Sequence, residues 1–600
     1  MGHHHAGLDL ATDDDETVVV RAAMAGEVIR LRRNDAGYGR AVYVRHADGQ
    51  QTVYAHLSAF APKLAAEIRA REEREGQFFL AFTLRRPIPV AQGEALGYAG
   101  TSGTDLVHLH FELRQKGAPI NPLTHGLPVP DTQAPALRRV LFVPRSAAAH
   151  VGGALDEVSV EVPADGRVAE PVRLDGDVVL YVEAADHIDG SPRDLTPYRI
   201  DLEVDGQPWH TTRYDEVSYA DDRYTELDFH LEREARKEAR FNALFSQGPR
   251  ARVHAKAGRS LSRLKRGRHT ARIIAADAAG NRSTASLTLE VGPAEPPCAV
   301  AIGKLAKGKT EPPPADRRWR ERLLIIPIEG LCGAGERLDV QVDGRRQKLG
   351  KGFRISRLGG KPAVALDLPA DKDARVEVGV AGPGGRPAWV RIDSHGLKGG
   401  ARAEEGDLRF EVGDDALFFP FPTEITRAEV NPGGPGLEVV GPLYRMSNRF
   451  VPAKAFSRVA LRRPPGGTGH VGVYTLDGER WWYLGGRDEE THTVGASVHP
   501  ADVALMRDAA APVIGEARVE AHPGGPRMIV PVSDLGAGLS TVEVTVDGKP
   551  AFVERQKPFD RIIWLPLHRV KPGEHRLVVK ARDRSGRETV STQTLVWPDG

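Results

Sequence analysis

Cysteine and long apolar runs are both scarce in this sequence. Its 600 residues include only Cys298 and Cys332, which are too few and too far apart for a cysteine-rich zinc module. They form either one disulfide, if the chain lies outside the cytoplasm, or two buried free thiols. No run of about 18 apolar residues occurs, so the sequence predicts no transmembrane helix.

An excess of charge of either sign is also missing. Lys and Arg number 82 against 81 Asp and Glu, which leaves a formal net charge of +1. No overall field draws the chain to nucleic acid or to an anionic membrane, so we expect no nucleic-acid partner. The Gly-rich stretches lack the Gly-Lys-Ser/Thr ending of a phosphate-binding loop, which leaves nucleotide binding without support. The oligomeric state is not indicated.

Glycine, proline and short Val-rich runs are abundant instead. The 64 glycines and 44 prolines separate apolar runs of strand length, a pattern typical of a mostly β chain. The length exceeds what one core supports and predicts roughly three to six domains. The first, residues 1–128, combines a hairpin at residues 37–57 with an inserted helix at residues 61–77.

A strand ending in Val-Asp-Gly occurs three times after residue 135. Two copies are followed by a second element, in which an Asp lies eight residues after the His of a Gly-x-His and a Gly three residues further on. Strands with hairpin tips at such offsets are typical of β-sandwich modules. We therefore predict Ig-like β-sandwiches at residues 135–293, 297–394 and 511–600. The Val-Asp-Gly strands lie at residues 199–209, 337–347 and 541–551, and the second elements at residues 267–283 and 573–589.

Two further segments complete the predicted division of the chain. Residues 215–247 are inserted in the first sandwich, and their Glu/Arg/Ala-rich centre predicts one helix. Residues 400–508 form another β-rich unit, with its clearest hairpin at residues 472–486. The aromatic residues 481–483 of that hairpin are expected to pack in the core or the turn. No Ca²⁺-binding loop pattern stands out in the four units that follow the first.

Two histidines lie one residue apart in the β-prone run at residues 107–114. Side chains at i and i+2 of a strand point to one face, so His108 and His110 share a face while Leu109 and Phe111 take the other. Co-facing imidazoles hold a metal or move a proton well. The competing interpretation is the exposed polar face of an ordinary strand.

The N-terminal segment supplies further metal-ligand candidates. A hydrolytic zinc site typically needs three protein ligands and an open fourth position. His5 and Asp9 lie four residues apart, with Gly7 between them where the backbone is expected to turn tightly. Together with His110 they offer nitrogen and oxygen donors suited to Zn²⁺. His108 and the more distant His56 then remain as imidazoles beside the metal, suited to proton transfer or to stabilising charge.

Five segments in this order resemble the lysostaphin-type (LytM-like) zinc metallopeptidases, which cut peptidoglycan peptides. The resemblance covers about the first 125 residues and implies an antiparallel β metallopeptidase domain. It implies Zn²⁺ bound by His5, Asp9 and His110, with His56 and His108 as the catalytic base and the stabiliser of the intermediate. It also implies a location in the cell envelope, periplasmic or extracellular, although no signal peptide is visible in the sequence. The matching segments are residues 5–9, 37–46, 52–58, 90–104 and 107–122.

Other residues of this region receive lesser roles. The resemblance gives His46 a structural role and leaves His3 and His4 incidental, while Asn121 helps to close the domain. The chain starts close to the first ligand, so we expect His5 to be poorly held.

Two further departures from the family pattern concern the groove. The insertion at residues 61–88 is expected to form one wall of the groove. The Asp-Leu-Val lead-in at residues 105–107 is expected to alter the groove near His108.

Two alternatives to an active peptidase stay open. One is a degenerate member that binds the wall or regulates another hydrolase; retention of all three ligands and both further histidines argues against it. The other places the main role in the four later β-rich units as an adhesion or scaffold array, and a β-sandwich fold alone does not decide function.

Overall fold

A computed structural model gives a mostly β protein, which confirms the predicted fold class. The largest helix has 14 residues. No helix in the part of the chain that is described has the length and apolar character needed to cross a membrane. The structure describes residues 4–75, 79–247, 253–256, 258–429, 434–464, 470–478, 480–556, 559–566 and 568–599.

The first unit is built on one antiparallel sheet with strand order β1-β9-β5-β4-β3-β7, to which β10 adds beside β9. A small three-stranded sheet, β2-β8-β6, lies on the same core. The predicted hairpin is confirmed as β4 and β5. The strands are β1 Leu8–Ala11, β2 Val19–Arg21, β3 Gly26–Arg33, β4 Ala41–Arg45, β5 Gln51–Ala55, β6 Ala59–Phe60, β7 Leu80–Val90, β8 Ala95–Tyr98, β9 His108–Gln115 and β10 Ala118–Ile120.

The predicted inserted helix is confirmed as α1, Pro62–Glu75. Leu64 and Ile68 are buried in the core of this unit, as the apolar stripe predicts. Glu72 is also buried and pairs with Arg33 at 2.8 Å, so the charge that the helix brings inward is neutralised.

The second unit, residues 136–291, packs two sheets face to face around one core. One sheet has the order β13-β11-β15-β18 and the other β12-β14-β21-β20-β16-β17-β19. Its strands are β11 Ala136–Pro144, β12 His150–Val151, β13 Val158–Glu161, β14 Val172–Asp175, β15 Val178–Ala185, β16 Arg199–Val204, β17 Gln207–Arg213, β18 Asn242–Ala243, β19 His254–Lys256, β20 Gly267–Ala276 and β21 Arg282–Val291.

The insertion at residues 215–247 has a helix in its Glu/Arg/Ala-rich centre, as predicted, but that helix is only five residues long. The insertion forms a 3-10 helix, Tyr219–Leu227, followed by a short helix α2, Leu231–Ala235. Polar side chains that a solvated helix would expose are buried here, including Glu226 and Asp228. Contacts of these side chains with other units outweigh the helix propensity of the segment.

The third unit contains two sheets, and a disulfide joins Cys298 to Cys332. Of the two states left open by the sequence, the structure therefore has the paired one. Its strands are β22 Ala301–Ile302, β23 Lys309–Glu311, β24 Arg318–Arg320, β25 Leu323–Pro327, β26 Arg337–Val342, β27 Arg345–Arg346, β28 Arg354–Leu358, β29 Lys361–Asp367, β30 Ala374–Ala381 and β31 Ala388–Leu397.

The fourth unit has sheets of order β32-β33-β38-β42-β41 and β35-β37-β43-β39-β40. In its predicted hairpin, Trp481 and Tyr483 pack on a core, whereas Trp482 is 47% exposed beneath the guanidinium of Arg480. Its strands are β32 Arg402–Glu405, β33 Leu408–Glu411, β34 Phe421–Thr423, β35 Ile425–Ala428, β36 Leu437–Val439, β37 Leu443–Met446, β38 Ser457–Arg462, β39 Val471–Asp477, β40 Arg480–Gly485, β41 Arg487–Glu489, β42 His492–Ser497 and β43 Val503–Asp508.

The fifth unit contacts the first unit through buried polar side chains. Arg40 pairs with Glu554 at 2.6 Å, and Gln556 donates to the Thr101 hydroxyl at 2.9 Å. Arg40 and Glu554 are almost fully buried, so this contact is part of the fold. The strands are β44 Val513–Ile514, β45 Arg518–Glu520, β46 Arg527–Ser533, β47 Leu539–Val546, β48 Lys549–Pro550, β49 Glu554–Gln556, β50 Arg561–Trp564, β51 Gly573–Asp583 and β52 Glu588–Trp597.

All three Val-Asp-Gly elements form tight hairpins, as predicted. Their Asp residues, Asp205, Asp343 and Asp547, all have φ of 51°, the left-handed conformation that Asp tolerates in such turns. In the two units with the second element, the His bonds back to this Asp: His269 to Asp205 and His575 to Asp547, each at 2.7 Å. The Ig-like assignment of these units stays a prediction.

Loss of the disulfide should destabilise the third unit. Cys298→Ser removes a link across 34 residues, and the entropy released to the unfolded chain corresponds to about 4 kcal/mol. We expect a lower thermal midpoint in calorimetry for this variant. Thiol titration of the denatured, unreduced protein should find no free thiol in the parent and one in the variant. Two free thiols in the parent would contradict the pairing.

Candidate metal centre

Strand pairing brings the N-terminal candidates to the His-x-His strand. β1 lies antiparallel to β9 with Asp9 directly opposite His110 and Ala11 opposite His108. β5 pairs with the other edge of β9 and ends with Ala55 opposite His110, so His56 follows immediately beside it. The five candidate residues therefore come together, although sequence separations of up to 105 residues divide them.

The three predicted ligands converge through one atom each. His5 Nε2 lies 3.1 Å from Asp9 Oδ1 and 3.0 Å from His110 Nδ1, and the last two atoms are 3.0 Å apart. The side chains of His5 and Asp9 are 45% and 38% exposed, whereas His110 is buried. The group thus has one buried side and one side open to solvent.

The backbone at the N-terminus is held more firmly than its position in the sequence suggests. β1 pairs with β9 from Leu8 onward and so anchors the segment that follows His5. The expectation that His5 is poorly held stays a prediction. The chain bends at Gly7 without a left-handed backbone conformation. A Cβ on Gly7 would lie 2.2 Å from the backbone oxygen of Phe111. Glycine is needed here because two backbones approach closely.

His56 and His108 lie beside the three convergent atoms, and each is oriented through Nδ1. His56 Nδ1 donates to the backbone oxygen of Ser102 at 2.8 Å, and His108 Nδ1 to that of Leu106 at 2.9 Å. This tautomer is assigned from the bonding pattern and leaves Nε2 of His56 as an acceptor, whereas Nε2 of His108 faces a carboxylate. His108 Nε2 lies 3.4 Å from Asp9 Oδ1.

The backbone conformation of His56 is itself unusual. Its φ is 60°, in the left-handed region that a residue with a side chain seldom adopts. Such a conformation costs on the order of 1 kcal/mol and persists only where the surroundings impose it. Here it directs the imidazole from the end of β5 toward His108, with ring centroids 4.8 Å apart.

A buried polar network behind His110 is not predicted by the sequence analysis. His110 Nε2 donates to Glu112 Oε1 at 3.0 Å, and Arg114 Nε donates to Glu112 Oε2 at 2.6 Å. The hydroxyls of Tyr38 and Tyr219 also donate to this carboxylate. The available sequence signal was the i+2 spacing of His108, His110, Glu112 and Arg114, which places all four side chains on one face.

The charges of this network depend on burial and on pairing. Burial raises the pKa of Glu112, but hydrogen bonds from His110 and Arg114 outweigh it and hold the pKa below its usual range. Burial likewise lowers the pKa of His110, yet bonds to Asp9 and Glu112 raise it to about 9. Burial dominates for His56 and lowers its pKa to about 4, so this imidazole is neutral at pH 7.

The lesser histidines have distinct positions. His46 bonds to the backbone oxygen of Ala25 and the hydroxyl of Thr52 within the core, consistent with its predicted structural role. His4 is not incidental, because it is buried against Asp228 at 3.4 Å. His3 lies outside the described residues. Asn121 caps a 3-10 helix, Pro122–Thr124, and its amide donates to Tyr214, which ties the end of the first unit to the second.

A large cleft of about 2080 Å³ opens beside the convergent atoms. His5, Asp9 and His108 lie in its lining together with residues of the second and fourth units. No described residue of the 61–88 segment lines it, so the expectation that this segment forms a wall is wrong. α1 packs one face on the core of the first unit instead. Residues between 225 and 240 of the second unit form part of the wall.

The residues present fit a zinc ion. Two imidazole nitrogens and one carboxylate oxygen form the three-ligand set of a catalytic zinc, with an open side for a fourth position. Glu112 accepts the proton of His110 Nε2, which leaves the lone pair of Nδ1 for a metal. A carboxylate behind a histidine ligand is the usual support in such centres.

Residues 3–73 match the model of Peptidase family M23. The first unit is a Peptidase family M23 domain. A second family model, which has no descriptive name, matches residues 168–292.

Curated relatives of the M23 domain fall into two groups. A DD-carboxypeptidase/endopeptidase Mpg of Neisseria meningitidis is 38% identical over 132 residues, which are 22% of this chain and 25% of that protein. A murein hydrolase activator NlpD of Escherichia coli is 27% identical over 119 residues, 20% of this chain and 25% of that protein. The chain thus spans about a quarter of the length of these relatives. The names of these relatives include both a peptidase and an activator of hydrolases.

Among solved structures, a complex of SpoIIIAH and SpoIIQ is similar to a part of the chain. It is 25% identical, covers 20% of this chain and 71% of that one, and has a TM-score of 0.16.

The buried carboxylate behind His110 should control metal affinity. Glu112→Gln keeps the size of the side chain but removes the charge that accepts from His110, and we expect zinc affinity to fall by about 10- to 100-fold. Competition titration with a chromogenic chelator measures the change. Glu27→Gln, at an exposed residue of the same domain, is the matched control. Unchanged affinity in Glu112→Gln would contradict the support role.

The raised pKa of His110 predicts that the stability of the metal-free protein depends on pH and that zinc displaces a proton when it binds. A histidine with a folded-state pKa of about 9 stabilises the metal-free protein below about pH 6.5 and loses that stabilisation as pH rises through 9. We therefore expect the thermal midpoint of zinc-free protein to fall across this range. Zinc binding at pH 7 should release a proton, measurable by calorimetry in buffers of different ionisation enthalpy. The absence of proton release would overturn the prediction.

Proposed function

We propose that the chain is a zinc metalloendopeptidase that hydrolyses peptide bonds in peptidoglycan stems or cross-bridges. The observation that carries the proposal is the convergence of His5, Asp9 and His110 to about 3 Å beside the imidazoles of two further histidines. The Mpg relative is named as a carboxypeptidase and endopeptidase, which supports catalysis. The names of Mpg and of the murein hydrolase activators support a substrate in peptidoglycan and a location in the cell envelope.

The two non-ligand histidines would divide the proton transfers. A zinc ion held by the three ligands supplies Lewis acidity, which activates water near neutral pH and polarises a carbonyl. His56 is neutral at pH 7 and presents Nε2 as the acceptor for the proton of the attacking water. His108, once protonated, donates from Nε2 to the oxyanion of the tetrahedral intermediate and afterwards gives a proton to the leaving amine.

The cleft suits an extended substrate. Its volume of about 2080 Å³ exceeds that of a typical small-molecule pocket, which is roughly 300–1,000 Å³. Because the second and fourth units form part of its lining, we propose that these β-rich units position the wall polymer against the M23 domain. The role of a separate adhesion array is less well supported, since these units share the cleft with the candidate site.

The second candidate function is a catalytically weak regulator. It is favoured by the relatives named as murein hydrolase activators and by the solvent exposure of His5 and Asp9, which would weaken metal retention. The two functions differ in one measurable respect, since a regulator releases no muropeptides by itself.

Substitutions separate ligand from catalytic roles. His110→Ala should lose both the zinc and muropeptide release, because a buried ligand is removed. His56→Ala and His108→Ala should keep near one zinc per chain and lose at least 100-fold of the activity on purified peptidoglycan, since proton transfer typically contributes about 10²–10⁴-fold. Metal analysis with chromatography of released muropeptides measures both quantities.

His125→Ala, at an exposed histidine of the same region, is the control and should change neither quantity. If the parent chain holds zinc and releases nothing, but stimulates a second wall hydrolase, the regulatory function replaces the catalytic one.

A further inference from the structure

The Asp of the repeated second element has no part in the M23 site. Asp277 directly follows β20, and Asp583 is the last residue of β51. The Asp277 carboxylate accepts from the backbone of Gly280 and Asn281, and that of Asp583 accepts from the backbone of Arg587. These bonds fix both carboxylates rigidly at the tip of a hairpin.

Each of these carboxylates meets two others from distant parts of the chain. Asp277 lies with Asp131 and Asp186, and one ligand oxygen of each falls within 4.8 Å of the others. One ligand oxygen of each residue also lies within 4.8 Å of the others in a second group, which consists of Asp508, Asp534 and Asp583. No continuous loop contributes all three members, which is why no Ca²⁺-loop pattern appears in the sequence.

The first member of each group precedes its unit by the same distance. Asp131 stands five residues before β11 (131 to 136), and Asp508 five residues before β44 (508 to 513). Both begin the sequence Asp-x-x-Ala-Pro. The spacing places each of these residues where the chain enters its unit.

The second members are equivalent as well. Asp186 follows the last residue of β15, and Asp534 follows the last residue of β46. Each is followed four residues later by a glycine of positive φ, Gly190 or Gly538. The same three-carboxylate arrangement therefore occurs in two units of the chain, which points to a shared requirement.

Buried oxygens without donors occur in both groups. Asp186 is 6% exposed and Asp583 1% exposed. Within the described part of the chain, Asp186 Oδ1, Asp534 Oδ1 and Asp583 Oδ2 accept no hydrogen bond. A buried carboxylate oxygen that lacks a donor is costly unless a cation or water satisfies it.

Mutual repulsion adds to this cost. Burial and the neighbouring Asp277 and Asp131 raise the pKa of Asp186 to about 6, with His187 acting in the opposite direction. Burial, Asp508 and Asp583 also raise the pKa of Asp534. These groups remain close although their charges repel.

Among the described residues, no Lys, Arg or His side chain forms an ion pair with the carboxylates of the second group. Arg587 lies near it, but its Nε donates to the backbone oxygen of Asp508. Gly536 approaches so closely that a Cβ there would lie 2.0 Å from Asp508 Oδ1. The backbone around Asp508 thus leaves no room for a further side chain at this position.

We propose that the two groups, Asp131–Asp186–Asp277 and Asp508–Asp534–Asp583, are two equivalent Ca²⁺ sites. Carboxylates are the ligands that hard cations prefer, and Ca²⁺ accepts the irregular sets of six to eight oxygens that three carboxylates, carbonyls and water provide. Mg²⁺ demands a stricter octahedral geometry and is the weaker candidate.

Each site joins the entry of a unit to the rest of it. Asp131 lies in the linker that leaves the M23 domain, and Asp508 ends the last strand of the fourth unit. A cation bound to these residues also bridges two chain segments inside the following unit. The ions would therefore fix how the second and fifth units are attached to what precedes them.

The test is calorimetric titration of zinc-loaded full-length protein with CaCl₂, which leaves the M23 site filled. We expect two Ca²⁺ per chain with dissociation constants of about 10⁻⁴–10⁻³ M, the range of extracellular modules. Asp186→Asn and Asp534→Asn should each bind one, and the double variant none. Asp371→Asn, at an exposed residue outside both groups, should bind two.

Thermal midpoints distinguish a cation site from a merely structural role. With Ca²⁺ present, each Asn variant should melt several degrees below the parent, because the bound ion stabilises only the parent. In calcium chelator it should melt at or above the parent, because the substitution removes repulsion. Destabilisation that is equal with and without Ca²⁺, no binding up to about 10 mM Ca²⁺, or two ions retained by the double variant would each overturn the proposal.

Discussion

The pairing of β1 with β9 is the constraint on which the candidate metal centre depends. Its register places Asp9 opposite His110, and the close approach that Gly7 permits brings His5 to the same side. Without that pairing, the first two ligands would belong to a free N-terminal segment and would share no face with β9. The contact between His4 and Asp228 holds the same segment from the other side, so a residue of the second unit helps to fix the first ligand.

The polar face of β9 links this centre to the rest of the protein. Every second residue from His108 to Arg114 lies on this face, and the side chain of Glu112 is fully buried. A buried carboxylate is tolerable only when it is fully paired, and the Tyr219 hydroxyl from the second unit is one of its partners. The orientation of His110 therefore depends on a contact between units as well as on its own strand.

Much of this arrangement follows from local sequence patterns. The alternation at residues 107–114 predicts the shared face of His108 and His110, and the Ala/Glu/Arg-rich run predicts α1. The short length of the helix in residues 215–247 could not be predicted, because burial of Glu226 and Asp228 against other units is a long-range effect. The same holds for Tyr219, which lies 107 residues from the carboxylate that it contacts. A local sequence pattern does not predict a contact across that sequence separation.

The long-range contacts also change what the later units can do. A linear spacer array would leave the M23 domain at one end, yet Arg40 is buried against Glu554 of the fifth unit. Gln556 of that unit bonds to Thr101, the neighbour of Ser102, whose backbone oxygen orients His56. A shift of the fifth unit would therefore move the loop that aims this imidazole. The β-rich units are better understood as a frame around the metal centre, in which their attachment bears on the geometry of the candidate site.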